Sequence, residues 1–147
     1  AAVETFVERM GRSTLSGPAA ERLAELLRVQ RYYMTSAEMA LAAAPLAPPA
    51  TADPVPLQAH QLLVTAAQRL VVEHDRPPAA GGTAESLNPA AMEEAYQQLK
   101  AAVLAAAAAG RLPMVPMEEV LERTSALRRA LQQAVKAHTR LRKLQAH

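Results

Sequence analysis

The longest uninterrupted helical pattern in the chain covers residues 18–44 and constrains the fold more than any other stretch. It reads PAAERLAELLRVQRYYMTSAEMALAAA, with no glycine, and no proline after its first residue. Ser16 is placed to cap the helix, and Pro18 stands in the first turn, where its missing N–H costs nothing. Helices of this length usually bury one face against other helices, so the stretch predicts a helical bundle.

A rotation of about 100° per residue separates two faces of this helix. Six residues share the stripe that predicts the inward face: Leu23, Leu27, Gln30, Met34, Ala37 and Leu41. Four residues on the opposite side predict an outward interaction face: Glu21, Glu25, Tyr32 and Met39. Because Tyr32 and Met39 place apolar bulk where solvent is expected, this face is where we expect a partner to bind.

Four further helices are predicted, one short at residues 3–11 and three long at 57–75, 89–109 and 116–144. Alanine is abundant and aromatic residues make up 3% of the chain, which favours helices with an aliphatic core. The length suits a single domain over residues 1–147. These features predict an all-α fold, an antiparallel up-down-up-down four-helix bundle with an additional short N-terminal helix.

Composition argues against several classes of function. The formal net charge of +2 is not typical of a nucleic-acid-binding protein, and the absence of cysteine excludes disulfides and thiolate metal sites. The longest nearly apolar run, residues 101–109, is shorter than the roughly 20 residues that span a bilayer. No phosphate-binding glycine loop or nucleophile elbow is present, so we predict a protein without enzymatic activity and without a cofactor.

Histidines offer the weak candidates for a metal site. In an up-down bundle the helices at 57–75 and 116–144 run parallel, so His74 and His138 should lie near the same end and could meet there. The alternative is that each is a separate half-buried histidine, because no Asp or Glu is placed by sequence to complete a ligand set. The basic run from Lys136 to Lys143 has two similar interpretations: contact with an acidic lipid or partner, or a solvated helix end.

The order of features from Phe6 to Ala44 resembles a known family. A short helix ends in Phe-Val-Glu-Arg-Met, a Ser-x-Leu-Ser turn follows, and the long helix carries Leu-Leu-Arg-Val-Gln-Arg-Tyr-Tyr and then Ala-Glu-Met-Ala. This is similar to the soluble PhoU-like helical region that follows the membrane domain in bacterial sodium/phosphate cotransporter-like proteins. The resemblance continues to a lesser degree in the Leu-Glu-Arg-x-x-x-Leu-Arg-Arg-Ala-Leu segment from Leu121.

The resemblance implies a cytoplasmic regulatory or accessory domain that is part of a longer inner-membrane protein and has that protein's membrane domain as its partner. The PhoU proteins carry a Glu/Asp-x-x-x-Asp metal motif, but neither Asp53 nor Asp75 has an acidic residue four positions before it. No metal-site residues are therefore carried over. Two alternatives stay open: a free-standing interaction or scaffold bundle, including a homodimer, and a metal- or ligand-sensing bundle.

Overall fold

The computed structural model describes residues 2–11, 16–77 and 87–146, apart from the side chains of Phe6, Val7 and Met10. The turn predicted at residues 13–16, which contributes to the family resemblance, lies outside the described residues except for Ser16. The regular structure of the described residues is entirely helical, which confirms the all-α prediction. There are five described helices: α1 (Ala2–Gly11), α2 (Gly17–Ala43), α3 (Pro54–Asp75), α4 (Ala90–Ala108) and α5 (Met114–Gln145).

Helices α3 and α5 begin earlier than the sequence pattern predicts, by three and two residues. In α3, Asp53 caps the N-terminus by accepting a hydrogen bond from the Val55 N–H, so Pro54 and Pro56 belong to the first turn. In α5, Pro116 likewise lies in the first turn. A proline is tolerated there because the first N–H groups of a helix have no acceptor within the helix.

The long helices alternate in direction along the chain. Glu25 and Ser36 of α2 contact Arg140 and Ala130 of α5 respectively, which makes α2 and α5 antiparallel. The start of α3 lies beside the turn after α4, where Asp53 pairs with Arg111 at 3.1 Å, so α3 and α4 are antiparallel as well. A short turn reverses the chain between α4 and α5.

The buried core lies among α3, α4 and α5. Its most enclosed side chains are Leu63 of α3 and Met92, Leu99 and Val103 of α4, all at most 1% exposed. Val120 and Leu131 of α5 complete this cluster from the other side, and α2 contributes no residue to it. Helix α2 instead packs along α5 and touches the short α1.

The prediction of which face of α2 points inward is wrong. Met34 and Leu41 of the predicted inward stripe are 48% and 78% exposed, whereas the buried residues are Val29 and Ala43. The reason is the surface that α5 offers at Ala130, which is buried: the Ser36 hydroxyl donates a 2.7 Å hydrogen bond to the Ala130 carbonyl, so the two helices lie close together there. Small residues in contact thus determine the orientation of α2, while several leucines and methionines stay at the surface.

Candidate functional site

The antiparallel contact of α2 and α5 forms a groove of about 520 Å³ near the C-terminal end of α5. We call this the basic groove; its lining residues are Glu25, Tyr32, Val135, Lys136, Thr139, Arg140, Lys143 and Leu144. Helical spacing explains why positive charge is concentrated in this groove. Lys136, Arg140 and Lys143 are four and three residues apart and therefore share one side of α5.

Tyr32 lies beneath two of these cations. The Arg140 guanidinium carbon is 5.6 Å from the centre of the Tyr32 ring, and the Lys136 ammonium nitrogen is 6.0 Å from it. These distances are within the range of cation–π attraction, so the ring helps to hold both basic side chains in the groove.

The residues predicted as an outward face do not all point outward. Glu25, Tyr32 and Met39 are half-buried, and Glu25 and Tyr32 contact α5, whereas Glu21 is exposed. The physical reason is the close approach at Ser36 and Ala130, which turns this side of α2 toward α5. Whether a partner binds these residues stays a prediction.

Glu25 neutralises only part of the positive charge. Its carboxylate is 2.9 Å from the Arg28 guanidinium and 3.2 Å from that of Arg140, so it bridges the two helices. Among the described residues, neither Lys136 nor Lys143 has a carboxylate within ion-pair distance. The groove therefore combines two unpaired ammonium groups with an apolar lining from Val135 and Leu144. Such a surface fits an anionic group attached to an apolar one.

A second cluster of polar side chains lies where α2, α3 and α5 meet. The rings of His74 and His138 are 5.2 Å apart between centres, so the two histidines lie near the same end, as predicted, and of the two alternatives they meet rather than stay separate. Tyr33 packs edge-on against His74 at 5.6 Å, and Arg142 lies one helical turn after His138. The parallel direction of α3 and α5 brings this set together, as the alternating helix order predicts.

His74 is held by a hydrogen bond at each ring nitrogen. Its Nδ1–H donates to the Asp75 carboxylate at 3.0 Å, and its Nε2 accepts from the Tyr33 hydroxyl at 2.8 Å. Burial, followed by the nearby Asp75 charge, raises the pKa of Tyr33 above its ordinary value. Tyr33 therefore stays protonated and is the donor to His74 at neutral pH.

His138 is the most buried member of this cluster, at 5% exposed. Burial lowers the pKa of His138, and electrostatic repulsion from the neighbouring His74 and Arg142 side chains, which opposes a second positive charge here, lowers the pKa further. The Arg142 guanidinium donates to Nε2 at 3.4 Å, while Nδ1 is buried and has no hydrogen-bond partner in the part of the chain described. The imidazole is therefore neutral at neutral pH, with one unsatisfied nitrogen.

The surroundings of the two histidines do not favour a cation. The Arg142 guanidinium lies beside His138, and both Nε2 atoms are already engaged in hydrogen bonds. Within residues 2–11, 16–77 and 87–146 there is no group of three or more His, Asp or Glu side chains placed to hold a metal ion. Metal binding by His74 and His138 stays a hypothesis that rests on their proximity alone.

Sequence reasoning missed Tyr33 and Arg142 as members of this cluster. The spacing of four residues between His138 and Arg142 is a signal that the sequence contains. No comparable signal points to Tyr33, because its contact with His74 depends on which face of α2 packs against α5.

The chain has no detectable relatives among the proteins compared with it: no family model, no curated protein and no solved structure matches. No helix of the described residues is both long and apolar enough to cross a membrane.

Proposed function

We propose that this chain is a non-enzymatic helical binding module that recognises an acidic segment of a protein partner in the basic groove. One observation carries the proposal: Lys136 and Lys143 line a groove with apolar walls and have no carboxylate partner among the described residues. An acidic peptide with apolar side chains supplies both the missing charge and a surface for Val135 and Leu144.

The test is a titration with a labelled helical peptide that carries leucine on one face and glutamate on the other. Fluorescence anisotropy should show binding at low ionic strength that weakens as salt is added. The double variant Lys136→Glu, Lys143→Glu should lose this binding. Lys100→Glu, an exposed lysine on α4, makes the same kind of charge change elsewhere and should bind like the wild type. Equal binding by all three proteins would refute the proposal.

An anionic lipid surface is the competing ligand for the same cations. The concave shape of the groove favours a peptide, because a lipid bilayer presents a broad surface rather than a narrow segment. Co-sedimentation with phosphatidylserine vesicles separates the two cases. Retention by vesicles without any binding of the peptide would replace the protein partner with a membrane.

A second candidate is the role implied by the family resemblance, a cytoplasmic accessory domain of a sodium/phosphate cotransporter-like inner-membrane protein. Its support is the short helix α1 packed on the long helix α2, and the alternating directions of the four long helices. In that setting the acidic segment belongs to the membrane domain of the same polypeptide. The proposal requires membrane-spanning segments before Ala1 in the parent reading frame, and their absence would rule it out.

A third candidate, a metal- or ligand-sensing bundle, rests on the 5.2 Å separation of the His74 and His138 rings. A thermal melt with and without Zn²⁺ or Mn²⁺ tests it. A metal at 100 times its dissociation constant should add about 2.7 kcal/mol of stability, and His74→Ala should abolish that gain. An unchanged melt would leave the histidines with a structural role.

A further inference from the structure

The surface of α5 carries one continuous stripe of exposed residues with a seven-residue repeat. Val115, Glu122, Arg129, Lys136 and Lys143 are all exposed, and Glu118 and Glu119 are the only other exposed residues between Pro116 and Lys143. Seven residues make almost two full helical turns, so this spacing keeps the exposed residues along one line of the helix. The stripe therefore offers a second helix a line of side chains to follow, and its charges decide whether that helix fits.

The stripe is acidic in its first part and basic in its second. Helix polarity explains acids in a first turn and bases in a last turn, but its influence fades within about one turn of each end. Glu122 lies eight residues after the start of α5 at Met114, and Lys136 lies nine residues before its end at Gln145. The charge separation thus extends well beyond what the helix dipole favours.

We propose that the partner in the basic groove is a second copy of this chain, which pairs its α5 stripe antiparallel to the first about a two-fold axis at Arg129. This inference rests on the proposed function and names its acidic segment. Each residue before Arg129 then faces the residue the same number of positions after it. Glu122 faces Lys136 of the second copy, and Glu118 faces Arg140 of the second copy. Because the axis is two-fold, each of these pairs occurs twice in the dimer.

The ends of the stripe fit in the same register. Met114 and Val115 are 65% and 64% exposed, and they lie opposite Leu144 and Lys143 of the second copy. Leu144 lines the basic groove, so the apolar tip of one α5 covers the apolar wall of the other copy's groove. Among the described residues, Glu118, Glu119 and Glu122 have no basic partner within ion-pair distance, which leaves them available for this contact.

The dimer is weak for two reasons. A contact from Met114 to Leu144 is about 45 Å long and one helix, about 10 Å, wide, or roughly 450 Å² on each copy. This is below the ~800 Å² per partner of a standard stable interface. In addition, Arg129 of one copy faces Arg129 of the other copy at the two-fold axis, so two positive charges approach each other. We expect a dissociation constant in the micromolar range or weaker, and stronger association at low salt.

The decisive experiment is a charge-reversal cycle followed by sedimentation equilibrium at high protein concentration and low ionic strength. Glu122→Lys and Lys136→Glu should each weaken dimerisation by roughly tenfold, because each change acts twice across the axis. The double variant should restore it. Glu122 and Lys136 are fourteen residues apart, about 21 Å along one helix, so restoration cannot come from a pair within one chain. Lys100→Glu serves as the control and should leave the constant unchanged.

A second variant tests the axis itself. Arg129→Ala removes the repulsive contact and should tighten the dimer several-fold, whereas any other contact surface predicts no change. A wild-type monomer that still binds the acidic peptide would overturn this inference and leave the proposed function standing. A dimer that none of the charge reversals affects would overturn this inference as well, and the peptide titration would then decide the proposed function separately. A wild-type monomer that does not bind the acidic peptide would overturn both.

Discussion

His60 and His138 are the two buried histidines with a ring nitrogen that lacks a hydrogen-bond partner, Nε2 in His60 and Nδ1 in His138, within the described residues. Burial lowers the pKa of both, and it is the sole cause for His60. A buried polar atom without a partner costs about 1–3 kcal/mol of stability. The interior therefore contains two histidines that burial makes harder to protonate and that each leave one ring nitrogen without a hydrogen bond. Their effect on stability can be tested at neutral and mildly acidic pH.

We predict that the chain loses stability as the pH falls from 7.5 to 5.5. The unfolded histidines take up protons near pH ~6.5, while the folded ones resist because their pKa values are lower, so acid favours the unfolded state. Urea unfolding at the two pH values measures the effect. His60→Leu should raise stability at pH 7.5 by about 1 kcal/mol and reduce the pH dependence. A wild-type midpoint that does not move would contradict the prediction.

The hydroxyl of Tyr33 should contribute to stability, whereas that of Tyr32 should not. Tyr33→Phe removes the 2.8 Å hydrogen bond to His74 and should cost about 1 kcal/mol in chemical denaturation. Tyr32→Phe is the matched control, because it keeps the ring beneath Arg140 and the structure shows no hydrogen bond from the Tyr32 hydroxyl within the described residues. Equal losses in the two variants would argue against the Tyr33–His74 bond.

At the scale of the helices, local signals at the termini account for where most elements begin and end. Ser16 caps α2 by accepting a hydrogen bond from the Ala19 N–H, and Gly110 ends α4 with a φ of 74°. The Arg111 N–H then bonds back to the Ala106 carbonyl at 2.8 Å, which closes the last turn. These features are visible in the sequence because they depend on a few neighbouring residues.

Two glycine substitutions should have opposite effects on stability. Gly110→Ala places a Cβ on a left-handed residue and should destabilise the chain by about 1 kcal/mol. Gly17 is in the first turn of α2, and there is open space where an added Cβ would lie. Gly17→Ala should therefore stabilise the folded chain by about 0.4–1 kcal/mol. Thermal melts compare the two variants. The same sign for both would contradict the φ of Gly110.

At the scale of the whole molecule, the core and the candidate site occupy different places. The core is shared by α3, α4 and α5, while the basic groove lies between α5 and α2, which has no residue in that core. Helix α5 therefore contributes to the core and to the basic groove. Because α2 lies outside the core, it is the long helix with the fewest buried side chains, Val29 and Ala43.

Hydrogen exchange should detect this division in the intact chain. Amides in α2 should exchange sooner than those in α4, whose buried residues include Met92, Leu99 and Val103, because opening a helix with few fully buried side chains exposes less apolar surface. Mass spectrometry of peptic fragments over a time course measures the order. Protection of α2 equal to that of α4 would show that the two helices open together.

The sequence by itself determined the helical class, the approximate extents of the helices, the cap at Ser16 and the end of α4 at Gly110, because short-range hydrogen bonds and helix periodicity are local properties. The alternation of helix directions, which the sequence predicts, also places His74 and His138 near the same end of the bundle. Only the tertiary structure decided which side of α2 is covered. Close contact of small residues at Ser36 and Ala130 outweighed the leucine and methionine stripe, and no single-helix pattern contains the surface of α5. Tyr32, predicted on the outward face, consequently lies in the basic groove, and Tyr33 lies in the histidine cluster.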